Sequence, residues 1–141
     1  MEQLALLAKR KRTSAARLTK SSKIIKTIIA AIQDKKGENI VSLDLRKINE
    51  AVADFFIICE ASNQPQVRAI AENIERKVQE KCAENPWHHE GYSTLQWVLL
   101  DYVNVVVHIM VPDTRKFYKL EEMWHDATME EHKPRKINVK I

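Results

Sequence analysis

The sequence predicts a single α/β (α+β) domain in which a mixed sheet of about four or five strands is covered by helices. The chain has 141 residues, which is enough for one domain with short tails. Three segments carry apolar residues at helical spacing, and four others alternate or form short apolar runs of strand length. The predicted order of elements is therefore α-β-β-α-β-β-α.

The first helix and the first two strands have clear apolar patterns. A helix is predicted over 23–36, where isoleucines recur every three or four residues, and Gly37 is expected to end it as a left-handed cap. Residues 39–45 alternate between polar and apolar and predict a strand. Residues 53–59 are apolar almost throughout, which is typical of a strand buried on both faces.

The second helix has a recognisable start. Ser62 or Asn63 is expected to accept a hydrogen bond from its first free N–H groups, and Pro65 is tolerated in the first turn. This helix runs to about Ala83. The polar stretch from there to Thr94 is predicted to be a loop.

A hairpin and a third helix complete the fold. Residues 95–102 and 105–111 predict two apolar strands joined by a very short turn. Asp113 or Thr114 is expected to cap a final helix that runs through about Met129.

Charge is distributed unevenly along the chain, which has a net charge of +4. Residues 1–22 have a net charge of +5 and residues 133–141 a net charge of +4, so residues 23–132 have a net charge of −5. A mildly acidic fold suits a basic protein partner better than a phosphate backbone. The basic tails are either solvated ends or peripheral contacts with RNA.

These charges also predict the domain boundaries. We expect a basic, flexible extension over 1–22, a folded domain over 23–129 and a basic tail over 130–141. No apolar stretch reaches 18 residues, so no membrane span is expected. The two cysteines, Cys59 and Cys82, do not form a disulfide framework and favour reduced thiols in a cytoplasmic protein, whether bacterial or organellar in origin.

The acidic residues do not form a catalytic motif. A nucleotidyltransferase needs a Gly-Ser turn and neighbouring carboxylates for Mg²⁺, and the chain has neither Gly-Ser nor Asp-x-Asp. Arg46 lies where a second metal ligand would follow Asp44, and neither Asp54 nor Asp101 has an acid two positions away. We therefore expect no enzyme activity, no catalytic residue and no cofactor.

The histidines do not form a strong metal motif either. Cys82 and Glu90 flank His88 and His89, but their spacing favours a solvated loop over a zinc site, so no metal is expected. His108 alternates with valine and isoleucine in the last strand. It is either a structural histidine or part of a docking face.

A series of short pieces in order resembles the ribosomal silencing factor family, also called the Iojap family. They lie within about 23–128 and read V-S-L-D-L, A-D-F-F-I-I, Q-V-R-A-I-A, E-G, W-V-L-L-D-Y, V-V-H-I, R-K-F-Y-K-L-E and W with D-A. The resemblance implies a fold similar to nucleotidyltransferases without their active site. It also implies a homodimer that binds the large ribosomal subunit through ribosomal protein fourteen, blocks joining of the small subunit and represses translation. The alternatives are a nucleotidyltransferase-like enzyme with degenerate motifs and an RNA-binding protein that acts through its tails.

The hairpin is the predicted recognition surface. Period two puts Trp97, Leu99 and Asp101 on one face of their strand, and the helices are expected to leave that face uncovered. Tryptophan is enriched at interface hot spots, and acidic neighbours would meet a basic protein. The predicted partner-binding residues are Trp97, Leu99, Asp101, Glu90, His108 and Tyr102.

The final helix offers further aromatic residues. Trp124 shares a helical face with Phe117, Leu120 and Ala127, so it is expected in the core. Phe117 and Tyr118 serve either packing or a dimer contact.

Overall fold

A six-stranded mixed sheet lies at the centre of this computed structural model, which describes residues 18–19 and 22–134. The strands are β1 Glu38–Asp44, β2 Phe55–Glu60, β3 His88–Glu90, β4 Trp97–Asp101, β5 Val105–Met110 and β6 Thr128–His132. Their spatial order is β3-β4-β5-β2-β1-β6; β2 and β5 are parallel and the other neighbours are antiparallel. The predicted mixed α/β domain is confirmed, with six strands in place of four or five.

Two long helices cover one face of the sheet. They are α1 (Lys23–Asp34) and α2 (Gln64–Cys82), and their isoleucines and valines pack against the inward side chains of the strands. Asn63 caps α2, because its side chain accepts a hydrogen bond from the backbone N–H of Gln66 at 2.9 Å. The predicted start of this helix is confirmed.

The cap of α2 gives a small, local prediction. Replacing Asn63 with alanine removes the acceptor for the Gln66 N–H and is expected to lower the free energy of unfolding by about 1 kcal/mol. Urea denaturation followed by circular dichroism measures this change. Asn63→Asp keeps an acceptor and serves as the control, so equal losses in both variants would contradict the capping role.

Two short helices cover the opposite face. They are α3 (Pro112–Tyr118) and α4 (Leu120–Met123), and Leu120 is their one fully buried residue. A single helix through Met129 was therefore the wrong prediction, because Lys119 adopts a left-handed conformation (φ 48°) and breaks the helix. The predicted caps Asp113 and Thr114 are also wrong, since Val111 is the N-cap and proline begins α3.

Two further predictions differ from the structure. Lys36, not Gly37, has the positive φ after α1, while Gly37 is needed because a Cβ there would lie 2.3 Å from Cγ2 of Ile32. The predicted loop before Thr94 contains β3, which pairs with β4. Of the predicted basic tails, residues 1–17, 20, 21 and 135–141 lie outside the described residues, whereas 130–132 belong to β6.

Candidate functional site

Strand β4 has the predicted alternation of faces. Trp97 and Leu99 belong to the apolar cluster under α3 and α4, and Tyr102, just past the strand, belongs to the cluster under α1 and α2. We call the side covered by α3 and α4 the Trp97 face. The sequence had placed Tyr102 and Trp97 in one set of partner-binding residues. The sheet separates the two side chains, so they cannot share a docking surface.

The prediction that helices leave Trp97 uncovered is wrong. Its exposed fraction is 6%, because α3 begins immediately after β5 and folds back over the hairpin. The ring of Tyr118, at the end of α3, lies 4.9 Å from the indole between centroids. Leu99, also predicted to be a contact, is 1% exposed.

An ionic clamp holds α3 in this position. Arg115, on α3, contacts Glu121 of α4 at 2.6 Å and Glu60 of β2 at 3.3 Å. Its guanidinium also donates a hydrogen bond to the backbone carbonyl of Asn39 at 2.6 Å. These contacts tie both short helices to the ends of β1 and β2, although α3 has no fully buried residue of its own.

Trp97 and His108 form a buried polar pair. The indole Nε1–H donates to Nδ1 of His108 at 3.1 Å, so Nε2 of the imidazole carries the proton. His108 is fully buried, and burial lowers its pKa to about 3. It is therefore neutral near pH 7. As a buried side chain it supports the Trp97 face from beneath and does not reach solvent.

A continuous row of aromatic rings connects this pair to the surface. Tyr118 contacts Phe117 on one side and Trp97 on the other, each with centroids 4.9 Å apart. His108 contacts Phe56 at 4.6 Å, and Trp124 contacts Phe56 at 5.9 Å. We call these six residues the aromatic row. Trp124 is half-buried against the core, as predicted.

Phe117 is the exposed end of the aromatic row. Its exposed fraction is 78%, which contradicts the prediction that it shares a buried face with Leu120 and Trp124. The sequence left open whether Phe117 and Tyr118 serve packing or a dimer contact. Tyr118 packs against Trp97, whereas Phe117 is exposed. The sequence does not show which of the two side chains is buried, because that depends on the orientation of α3, which the left-handed Lys119 after it helps to set.

The acidic residues of the predicted surface have local structural partners. Asp101 is fully buried, and its Oδ1 accepts a hydrogen bond from the Val103 N–H at 2.8 Å, which stabilises the tight hairpin turn. Its carboxylate is therefore not the exposed acidic edge that the sequence had predicted. Glu90 is half-buried on β3 beside Leu99 and lies 3.1 Å from Nε2 of His88.

The carboxylates near β1 are engaged in structural contacts. Both oxygens of Asp44 accept hydrogen bonds from Arg46, at 2.9 and 2.6 Å, and these bonds lower the pKa of Asp44. Asp54 is buried and accepts a hydrogen bond from the backbone N–H of Leu18 at 3.1 Å. Arg46 thus occupies the space in which a metal ion would have to bind Asp44.

The histidine–cysteine segment does not assemble into one cluster. His88 lies near Glu90, whereas His89 contacts Glu75 of α2 at 3.2 Å. Within the described residues no three His, Cys, Asp or Glu side chains are arranged to hold a metal ion. Cys59 is buried, which raises the pKa of its thiol to about 12 and makes it a poor nucleophile.

None of the helices in the part of the chain that the structure describes is both long and apolar enough to cross a membrane.

Comparisons with known proteins point to one family. Residues 18–140 match the family model described as "Ribosomal silencing factor during starvation". The ribosomal silencing factor RsfS of Bacillus subtilis (strain 168) is 40% identical over 106 residues, which cover 75% of this chain and 88% of that protein. A crystal structure of a protein from Chromobacterium violaceum has a TM-score of 0.69 at 32% identity and covers 80% of this chain and 88% of that one.

A more distant relative comes from an animal. The mouse protein "Mitochondrial assembly of ribosomal large subunit protein 1" is 29% identical over 73 residues, which cover 50% of this chain and 32% of that protein.

Proposed function

This chain belongs to the ribosomal silencing factor family, and on that premise we propose that it binds the large ribosomal subunit and blocks its association with the small subunit. The binding partner is a basic ribosomal protein, protein fourteen of the large subunit. The name of the mouse relative, which refers to the large ribosomal subunit, supports the choice of that subunit. The chain acts by occupying space and represses translation without catalysing a reaction.

Phe117 is the observation that carries the proposed docking surface. Phe117 is 78% exposed, the highest value among the exposed large hydrophobic side chains of the described residues, and aromatic rings are enriched at protein interfaces. Burying ~150 Å² of such a ring contributes about 4 kcal/mol before association costs. We place the partner over α3, so that it contacts Phe117 directly and the rest of the aromatic row keeps that ring in position.

The predicted contact residues take a supporting role in this proposal. Trp97, Leu99 and His108 form the rigid floor under α3, and Asp101 keeps the hairpin turn in shape. Glu90, which is half-buried at the sheet edge, remains available at the rim. The net charge of −5 over residues 23–132 favours a basic partner and increases the association rate more than the affinity.

Three further properties complete the proposal. The chain works in the cytoplasm, forms a homodimer, and makes its specific contacts through the domain at 23–129. The basic residues of 1–22 and 133–141 add peripheral contacts with ribosomal RNA. If the tails alone were responsible for binding, removing both tails would abolish binding to the large subunit. In the full-length chain, the affinity would then fall steeply as the salt concentration rises.

Phe117→Glu tests the docking surface. This exposed change is expected to weaken co-sedimentation with isolated large subunits about tenfold, because a carboxylate replaces the apolar anchor. Stability should change by less than ~0.5 kcal/mol, since little of the ring is buried. The assay uses sucrose gradients, both for binding and for subunit joining.

Phe117→Leu is the matched control, because it keeps an apolar side chain at the same position. It should retain most of the binding. Full binding and full inhibition of subunit joining by Phe117→Glu would show that the partner does not dock on α3.

A further inference from the structure

The outer edge of β6 is open. This strand ends the sheet, and among residues 18–19 and 22–134 it has β1 as its strand neighbour on one side and none on the other. Thr128, Met129, Glu130 and Glu131 are exposed, and the exposed fraction of Met129 is 52%. Such an edge presents unpaired N–H and C=O groups to an extended segment that runs alongside it.

Charge limits which segment can pair there. Residues 120–132 contain five acidic residues and no lysine or arginine. Glu130 and Glu131 point to opposite faces of β6, so a partner strand meets a carboxylate on each face. Two β6 strands would repel each other, whereas a basic segment with alternating apolar residues is complementary.

The chain itself contains a segment of this kind directly after β6. Residues 135–141 read R-K-I-N-V-K-I and have a net charge of +3. From Lys136 onward, polar and apolar residues alternate strictly, with Ile137, Val139 and Ile141 on one side. The seven residues are long enough to match the five residues of β6.

The connection disfavours pairing with the same chain's β6. Lys133 and Pro134 alone separate β6 from this segment. Of the two common two-residue hairpin turns, type I′ needs a positive φ at both positions, which proline cannot adopt, and type II′ favours glycine at the first position, where this chain has Lys133. The carbonyl of Lys133 also accepts a hydrogen bond from Nε2 of Gln33 at 2.8 Å, which ties the connection to α1. Pairing of the segment with its own β6 is therefore disfavoured.

We propose that residues 135–141 of one copy add as an extra strand to the outer edge of β6 in a second copy, and that the exchange is reciprocal around a twofold axis. This inference rests on the homodimer of the proposed function and names the segment that forms it. Lys136 and Lys140 share one face of the added strand and meet Glu130 of the other copy, while Arg135 and the apolar side chains lie on the face of its Glu131 and Met129.

A charge exchange between full-length chains tests the proposal. Sedimentation equilibrium is run on wild type, on Glu130→Lys/Glu131→Lys and on Lys136→Glu/Lys140→Glu. Each double variant places like charges across both strand pairs and should weaken the dimer at least tenfold. An equimolar mixture of the two should form heterodimers of near wild-type affinity, because each segment then meets a strand of opposite charge.

The possible outcomes separate the alternatives. Glu72→Lys/Glu80→Lys, on the exposed side of α2, is the control for net charge and should dimerise as wild type does. Unchanged dimers in both β6 and tail variants would overturn the inference while leaving the homodimer intact. Failure of the mixture to form heterodimers would also overturn it. A monomeric wild type would overturn the homodimer as well, while co-sedimentation still tests docking on the large subunit.

Discussion

Replacing Trp97 with glutamate is expected to lower the free energy of unfolding by about 4 kcal/mol or more. The indole is 6% exposed and donates a hydrogen bond to His108, so the substitution creates a cavity, buries a carboxylate and leaves Nδ1 of His108 without its donor. A small domain has only about 5–15 kcal/mol of stability, so a loss of this size is a large part of the total. Urea denaturation at pH 7, followed by far-UV circular dichroism, measures it.

Phe117→Glu provides the matched comparison for this experiment. The same charge enters the same aromatic row, but at its exposed end, where the fold should tolerate it. The two variants therefore separate stability from docking: Trp97→Glu destabilises the domain, and Phe117→Glu weakens binding alone. Wild-type stability in Trp97→Glu would mean that the indole faces solvent after all, as the sequence had led us to expect.

The sequence predicted the long elements well because each carries its own apolar pattern. Helix α2 has both a cap at Asn63 and an apolar stripe, and β2 is a continuous apolar run. Strand β6 carries no such pattern: T-M-E-E-H is polar and exposed, and backbone hydrogen bonds to β1 define it. Strand β3 was missed for the same reason, since its three residues form a strand only beside β4.

Only part of the candidate site could be predicted. The alternation of side chains along a strand is a local property, but which elements cover a face of the sheet depends on distant residues. Period two correctly placed Trp97 and Leu99 on one face. What covers that face depends on the left-handed Lys119, which no glycine or proline marks, and on the contacts of Arg115 with distant residues. The exposure of Phe117 also depends on the helix break at Lys119, so the sequence pattern did not predict it.

Acid is expected to destabilise the protein through His108. Its folded-state pKa of about 3 lies below the ordinary value of 6.5, because the imidazole is buried between apolar rings. The unfolded chain therefore binds a proton that the folded chain excludes. Stability falls as the pH drops below 6.5 and continues to fall until about pH 3, and by pH 5 the loss from this one group is about 2 kcal/mol.

His108→Asn isolates this contribution. The variant keeps a hydrogen-bond acceptor near Nε1 of Trp97 but has no titratable group, so it should be less stable at pH 7 and yet lose about 2 kcal/mol less than wild type between pH 7 and pH 5. The difference between the two pH values is the readout, because it cancels the packing cost of the smaller side chain. His125→Asn, at a side chain that is 76% exposed, should keep the wild-type difference. Equal pH dependence in wild type and His108→Asn would mean that water reaches the imidazole, which the closed cover of α3 over the Trp97 face does not permit.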